Sequence, residues 1–121
     1  MLTAIEQFED AEVWQSSMQL CTDMYKKSFE IEQYPLRDQI QKASLCIPSN
    51  IAEGIERGSN YDFVRYMSIA KGFCGELRTQ VHLAIELNLL KREEGKTYID
   101  RTRQLSEELK KLINIKKDSF S

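Results

Sequence analysis

Two prolines, five glycines, three cysteines and a single histidine in 121 residues leave little material for several classes of protein. With so few helix breakers beside 41% hydrophobic and 30% charged residues, the chain has the balance of amphipathic helices rather than of sheets or disorder. It shows no repeat, low-complexity tract or linker, so residues 1–121 are expected to form one domain. Cys21, Cys46 and Cys74 lie 25 and 28 positions apart, a pattern that suits neither a disulfide framework nor a C-x-x-C metal pair; each falls on an apolar stripe and is read as a small buried hydrophobe. A di-iron bundle needs Glu-x-x-His on two helices, whereas the one histidine, His82, has Thr79 three positions before it. Gly-x-Gly-x-x-Gly and Gly-x-Ser-x-Gly are both absent, and with them the phosphate cradle and the nucleophile elbow; no cofactor is implied. No stretch approaches the roughly 18 uninterrupted apolar residues of a membrane span. Glu6, Glu9, Asp10 and Glu12 arrive where a signal peptide would be basic and then apolar, so a cytoplasmic location away from the membrane is expected.

What is present is helical period. Val13/Trp14, Ser17/Met18, Leu20/Cys21 and Met24/Tyr25 recur at steps of three and four, and so do Leu36, Ile40, Ala43, Ile47, Asn50 or Ile51, and Gly54 or Ile55. The third stripe is the most regular, with Phe63, Met67, Ala70, Cys74, Leu77, Val81, Ala84 and Asn88 alternating steps of four and three. A fourth runs through Tyr98, Thr102, Leu105, Leu109 and Leu112, flanked by Ile99 and Ile113. The breaks fall at "EQYP", "RGSN" and "REEGK". They predict helices over about 3–30, 36–57, 60–90 and 96–116, with Gly58 ending the second and Ser59 or Asn60 capping the third. Short connections force alternating directions. The expected fold is all-α, an antiparallel up-down-up-down four-helix bundle.

The second helix carries an internal proline. Pro48 leaves the Ser44 carbonyl without its partner at a cost of about 3 kcal/mol relative to alanine, and a kink is expected there. In a hairpin turning near residue 59, Gly72 would face Cys46 and Gly75 would face Ala43. These side-chain-poor positions would let a bent partner approach. Asn50 would then point inward and need a partner, with the carbonyls freed at the kink, the hydroxyls of Ser49 or Ser68 and the carboxylate of Glu76 as candidates. On this reading Pro48, Asn50, Gly72 and Gly75 fix the register of the hairpin, and Glu53 makes an i,i+4 pair with Arg57.

Charge is uneven along the chain. Residues 1–34 hold seven acids and two bases, whereas residues 91–121 hold nine bases and six acids. The acidic first helix would suit a place beside the basic last one. The basic end, through Arg101, Arg103, Lys110, Lys111, Lys116 and Lys117, is also a candidate nucleic-acid contact. Arg78 and His82 share a helix face at i,i+4, the nearest approach to a helical ribonuclease pair. Beside its core stripe the third helix carries Tyr61, Tyr66, Ile69 and Phe73, more apolar surface than one small bundle buries, which points to contact with further copies of the chain.

"LRDQIQKAS", "LCIPSNIAEG" and "IAKGFCGEL" together resemble the four-helix-bundle proteins encoded by intervening sequences of bacterial 23S ribosomal RNA genes, a family that includes the accessory variability protein of diversity-generating retroelements. The likeness extends from "FEDAEVWQ" into the last helix. Its centre is the run Pro48, Ser49, Asn50, Ile51, Ala52, Glu53 and Gly54. It implies a bundle that assembles as a homopentamer without catalytic residues. For the accessory subgroup it implies binding to a reverse transcriptase and, through a basic surface including Lys42, to RNA or DNA. Two positions depart from the family's pattern: Gln41-Lys42 stands where paired basic residues are usual, and Gly72-Phe73 where Gly-Ser is usual. The function expected first is a non-catalytic oligomeric adaptor or binding platform. A nucleic-acid-binding accessory factor comes second, and a ribonuclease using Arg78 and His82 third.

Overall fold

The computed structural model describes residues 7–118 and places in them a short 3-10 turn, Phe8–Asp10, followed by four helices: α1 (Glu12–Ser28), α2 (Tyr34–Glu56), α3 (Asn60–Glu86) and α4 (Arg92–Asp118). No strand occurs among the described residues, and the molecule is an all-α four-helix bundle. Helix contacts form a closed ring of neighbours, α1 with α2, α2 with α3, α3 with α4 and α4 with α1, while α2 and α4 do not touch. Late residues of one helix meet early residues of the next. Gln41 donates to the Ser28 hydroxyl at 2.9 Å, Gly54 abuts Tyr66 and Met67, and Ile85 lies against Gly95.

The four stripes are the core. Met67, Ala70, Cys74, Leu77, Val81 and Ala84 of α3 are fully buried, as are Ile40, Ile47 and Ile51 of α2 and Leu109 of α4. Asn50 is only half-buried, and it is Ile51 that fills the inward place.

The ends of the helices differ from the sequence-based expectation, each for a local reason. α1 starts at Glu12 instead of Thr3; residues 3–6 lie outside the described residues, and the 3-10 turn precedes an extended Ala11. Glu9, Asp10 and Glu12 stand where the helix dipole favours acids, the Gln15 amide donates to the Glu9 carbonyl at 2.7 Å, and Phe8 packs edge-on against Trp14. α2 begins at Tyr34, not after Pro35. Proline is tolerated in a first turn, whose N–H groups have no helical partner, and the Gln33 side chain caps the turn by accepting from the Leu36 N–H at 2.8 Å. α3 ends at Glu86 because Asn88 adopts a left-handed backbone, φ 59°. The Leu89 N–H then reaches the Ala84 carbonyl at 2.9 Å and the Asn88 N–H reaches Ile85 at 3.0 Å, the paired closing bonds of a Schellman motif. Asn88 is thus a stop and not the last member of the core stripe.

The expected turn "REEGK" is for the most part the first turn of α4, with Glu93 and Glu94 at its positive end. The other predicted caps hold: Gly58 has φ 79°, and the Ser59 hydroxyl accepts from the Asp62 N–H at 3.1 Å.

Candidate interaction surfaces

Helix α2 runs unbroken through Pro48, which is buried. One turn on, the Asn50 amide donates to the Cys46 carbonyl of its own helix at 2.6 Å. It reaches neither Ser49, Ser68 nor Glu76, and all three of those are exposed. Gly72 is exposed and Gly75 half-buried, and a Cβ added to either would meet nothing within 4 Å. The expectation that Gly72 and Gly75 form the close approach to α2 is therefore corrected. The glycine at the α2–α3 contact is Gly54, where a Cβ would stand 3.0 Å from the Tyr66 Cβ and 3.2 Å from Met67 Cε. The hairpin register is set by core stripes and by Gly54, and Asn50 serves its own helix. Glu53 pairs with Arg57 at 2.9 Å on the surface, as its spacing implied.

A second close contact lies at Gly95, where a Cβ would fall 2.4 Å from Ile85 Cδ1. Arg37 is a third fixture that the spacing did not announce. Its guanidinium donates to the carbonyls of Ser28 (3.2 Å), Ile31 (3.0 Å) and Phe29 (2.8 Å), so it closes the end of α1 from the start of α2. It also lies over the rings of Phe29 and Tyr34. Arg37 directly follows Leu36, the first residue of the second stripe, and no spacing in the sequence marks it.

The basic residues singled out from the sequence do not converge. Arg101 is bound to Asp23 of α1 at 3.0 Å, and Lys116 sits over the Phe63 ring. Lys42 is on α2, which does not touch α4. Arg103, Lys110 and Lys117 are exposed and, with Lys96, recur every seven residues along one flank of α4. That flank faces away from α1, since Arg101, two positions from Arg103, is the residue that reaches Asp23. Lys71 and Arg78 of α3 lie across the buried stripe from Tyr66, which meets α2, and so edge the same α3–α4 seam. Asp100 and Glu107 run beside the basic column, with Asp100 at 4.0 Å from Arg103. Lys111 stands between that column and the α1-facing side, edging a hollow with Arg103 and Glu107 as well as the α1–α4 groove.

The residues singled out for chemistry are placed apart from one another or buried. His82 is exposed and Arg78 half-buried, with no hydrogen bond between them. Burial pushes the Cys74 thiol up to about 12 and also raises Cys21, so both are protonated at neutral pH and unsuited to nucleophilic work. No three His, Cys, Asp or Glu side chains converge on a metal position among the described residues.

Among the described residues ten large apolar side chains are more than a third exposed, and several of them are grouped. Tyr25, Phe29 and Tyr34 cluster with Arg37 at the α1–α2 end, with Met18 seven residues before Tyr25 on the same flank and Leu45 on α2. Ile69, Leu83 and Leu87 lie on the outer flank of α3. Of the apolar residues expected there, Tyr61 and Ile69 are exposed, while Tyr66 and Phe73 are half-buried. Between α1 and α4 runs an open groove of about 990 Å³ lined by Asp10, Glu12, Val13, Glu108, Leu112 and Ile115, among others. No helix among the described residues is long and apolar enough to cross a membrane.

The family profile for the 23S rRNA-intervening sequence protein matches residues 9–111. Among solved structures, a protein with unknown function from the S23 ribosomal protein family of Bacteroides thetaiotaomicron superposes with a TM-score of 0.79 at 21% identity, over 84% of this chain and 97% of that one. It shares the fold. No curated protein matches the chain.

Proposed function

We propose that this chain, which belongs to the 23S rRNA-intervening sequence protein family, is a non-catalytic bundle that assembles with copies of itself into a closed ring of five and serves as an adaptor or binding platform. The observation that carries this reading is the exposure of large apolar side chains in two places, Tyr25, Phe29 and Tyr34 clustered at the α1–α2 end and Ile69, Leu83 and Leu87 on the outer flank of α3. Contiguous apolar surface of that kind is uncommon on monomers, and a ring needs two unlike faces that meet head to tail. The buried thiols of Cys21 and Cys74, the half-buried Cys46 and the unsupported Arg78 and His82 give no reason to assign a reaction. Light scattering at micromolar concentration is expected to return about five times the 14.1 kDa of the chain. A mass near 14 kDa would remove the assembly from the proposal.

A second reading, binding of RNA or DNA alone or with a reverse transcriptase, is favoured by one observation, the column Lys96, Arg103, Lys110 and Lys117 beside Lys71 and Arg78. Binding of this kind falls steeply with salt. Lys110→Glu with Lys117→Glu is then expected to weaken it across all sequences, whereas Lys42→Glu, on another helix, is not. Binding indifferent to salt and to these changes would sink that reading.

A further inference from the structure

We infer that the groove between α1 and α4 is a docking site for a basic amphipathic helix of a partner protein. The inference rests on the reading of the chain as a binding platform and gives that platform a place and a partner chemistry. α1 has 17 residues and α4 has 27. Lys27 with Glu94 and Asp23 with Arg101 tie the two together and fix their register. That register sets Glu12 opposite Leu112, so the last turns of α4 run past the start of α1 and leave Ile115 55% exposed.

The 3-10 turn that precedes α1 contacts α1 and α2, not α4, and does not cover the seam. A smaller hollow edged by Ser16, Gln19, Arg101 and Gln104 continues the groove toward these ion pairs. From Arg101 to Ile115 the α4 wall is about 21 Å long at the helical rise, the length of a four-turn helix.

The floor and the rim differ in chemistry. Ile115 and the half-buried Leu112 offer aliphatic surface beside the buried Val13, while Asp10, Glu12 and Glu108 stand around it with Lys111 as the base among the lining residues. A helix seated here places apolar residues at i, i+3 or i+4, and i+7 on the floor. Its flanks meet a rim of net negative charge, which selects lysine and arginine there and penalises acids. Among the α1–α2 aromatics, in contrast, the charge that lies over the rings is the Arg37 guanidinium.

The test uses the full chain and a fluorescent 18-residue designed peptide with leucines on one helical face and lysines and arginines on the others, followed by anisotropy. Saturable binding is expected. Glu12→Lys with Glu108→Lys should weaken it at least tenfold, with folding checked by circular dichroism. Glu56→Lys with Glu76→Lys makes the same change of charge on exposed positions of α2 and α3 and should leave it within about twofold. A peptide of equal composition with its leucines scattered should bind at least tenfold more weakly. Failure to saturate, equal loss in both charge-reversed pairs, or equal binding of the scattered peptide would each overturn the inference. Light scattering of the same samples separates the two proposals, since a full-size assembly that ignores the peptide refutes the groove and leaves the platform.

Discussion

Four of the five glycines lie inside helices, and the contacts around them predict opposite signs for the same substitution. Replacing glycine by alanine in a helix gains up to about 1 kcal/mol by propensity when nothing opposes the new methyl. Gly72 and Gly75 meet that condition, with nothing within 4 Å of the added Cβ. At Gly95 the new Cβ would stand 2.4 Å from Ile85 Cδ1 and 2.6 Å from its Cγ1, more than an ångström inside ordinary carbon contact. Overpacking of this kind costs about 1–3 kcal/mol, which exceeds the propensity gain. At Gly54 the nearest atom, the Tyr66 Cβ at 3.0 Å, is fixed to the backbone, so the helices themselves must separate.

Thermal melts of the four single variants should therefore fall into two pairs. Gly72→Ala and Gly75→Ala are expected to raise Tm by a few degrees, and Gly54→Ala and Gly95→Ala to lower it, at about 4 °C per kcal/mol for a domain of this size. Light scattering on each sample keeps a change of assembly from being mistaken for a change of fold. A double-mutant cycle isolates the cause at Gly95. In an Ile85→Ala background the clashing atoms are gone, so Gly95→Ala should turn from destabilising to neutral or stabilising, a coupling of about 1–2 kcal/mol. If Gly72→Ala and Gly75→Ala prove the damaging pair in samples of unchanged mass, or if the cycle shows no coupling, the packing described here is wrong.

Arg37→Ala removes the donor to three carbonyls at the end of α1 and should cost about 1.5–3 kcal/mol by denaturant titration; Arg37→Lys, lacking the planar fork, should recover less than half. Asn50→Leu, in contrast, trades a half-buried bond within its own helix for better propensity, and its midpoint should move by less than about 1 kcal/mol. The Lys27 ammonium bonded to Glu94 holds that carboxyl below the usual carboxylate range and is itself raised, by Glu94 first and then Glu30. The Glu94 contribution is therefore present above its unfolded pKa of about 4.3 and lost as pH falls through the lower folded value, while that of Lys27 is lost only as pH rises past about 10.4. The Tm gap between the parent chain and Glu94→Gln should be flat from pH 6 to 9 and close in acid; a gap that widens in acid refutes the pairing. Finally, Pro48 is proposed to bend α2, and residual dipolar couplings should report a straighter helix in Pro48→Ala; identical couplings on both sides of residue 48 in the two proteins would refute the bend.

The parts of this fold legible in the sequence are those that depend on period. Burial of Phe63, Met67, Ala70, Cys74, Leu77, Val81 and Ala84 follows from spacing because a helix must hide whichever stripe is apolar. The outer surface does not follow in the same way. Tyr61, Tyr66, Ile69 and Phe73 look equivalent by composition, yet Tyr66 and Phe73 are half-buried while the larger exposed cluster of Tyr25, Phe29 and Tyr34 gathers at the α1–α2 end. Which flank of a stripe is covered depends on where the neighbouring helix lies, and period does not report that. The groove between α1 and α4 was illegible for a related reason: it exists because α1 starts at Glu12 and not at Thr3, and that start is decided by Phe8 packing on Trp14 and by the bond from Gln15 to Glu9.

Glycine shows the limit most directly. One letter serves a left-handed stop at Gly58, a contact between helices at Gly54 and Gly95, and helix surface at Gly72 and Gly75. What separates these uses is the atom that would meet an added methyl, and that atom belongs in each contact case to another helix. A turn near residue 59 sets Gly72 and Gly75 level with Cys46 and Ala43, but neither glycine meets α2. The residue that does is Tyr66, and its partner, Gly54, closes the same "LCIPSNIAEG" run that carries the family resemblance. A run kept for backbone approach at Gly54 explains why the small residue ends it without requiring Asn50 to cross between helices.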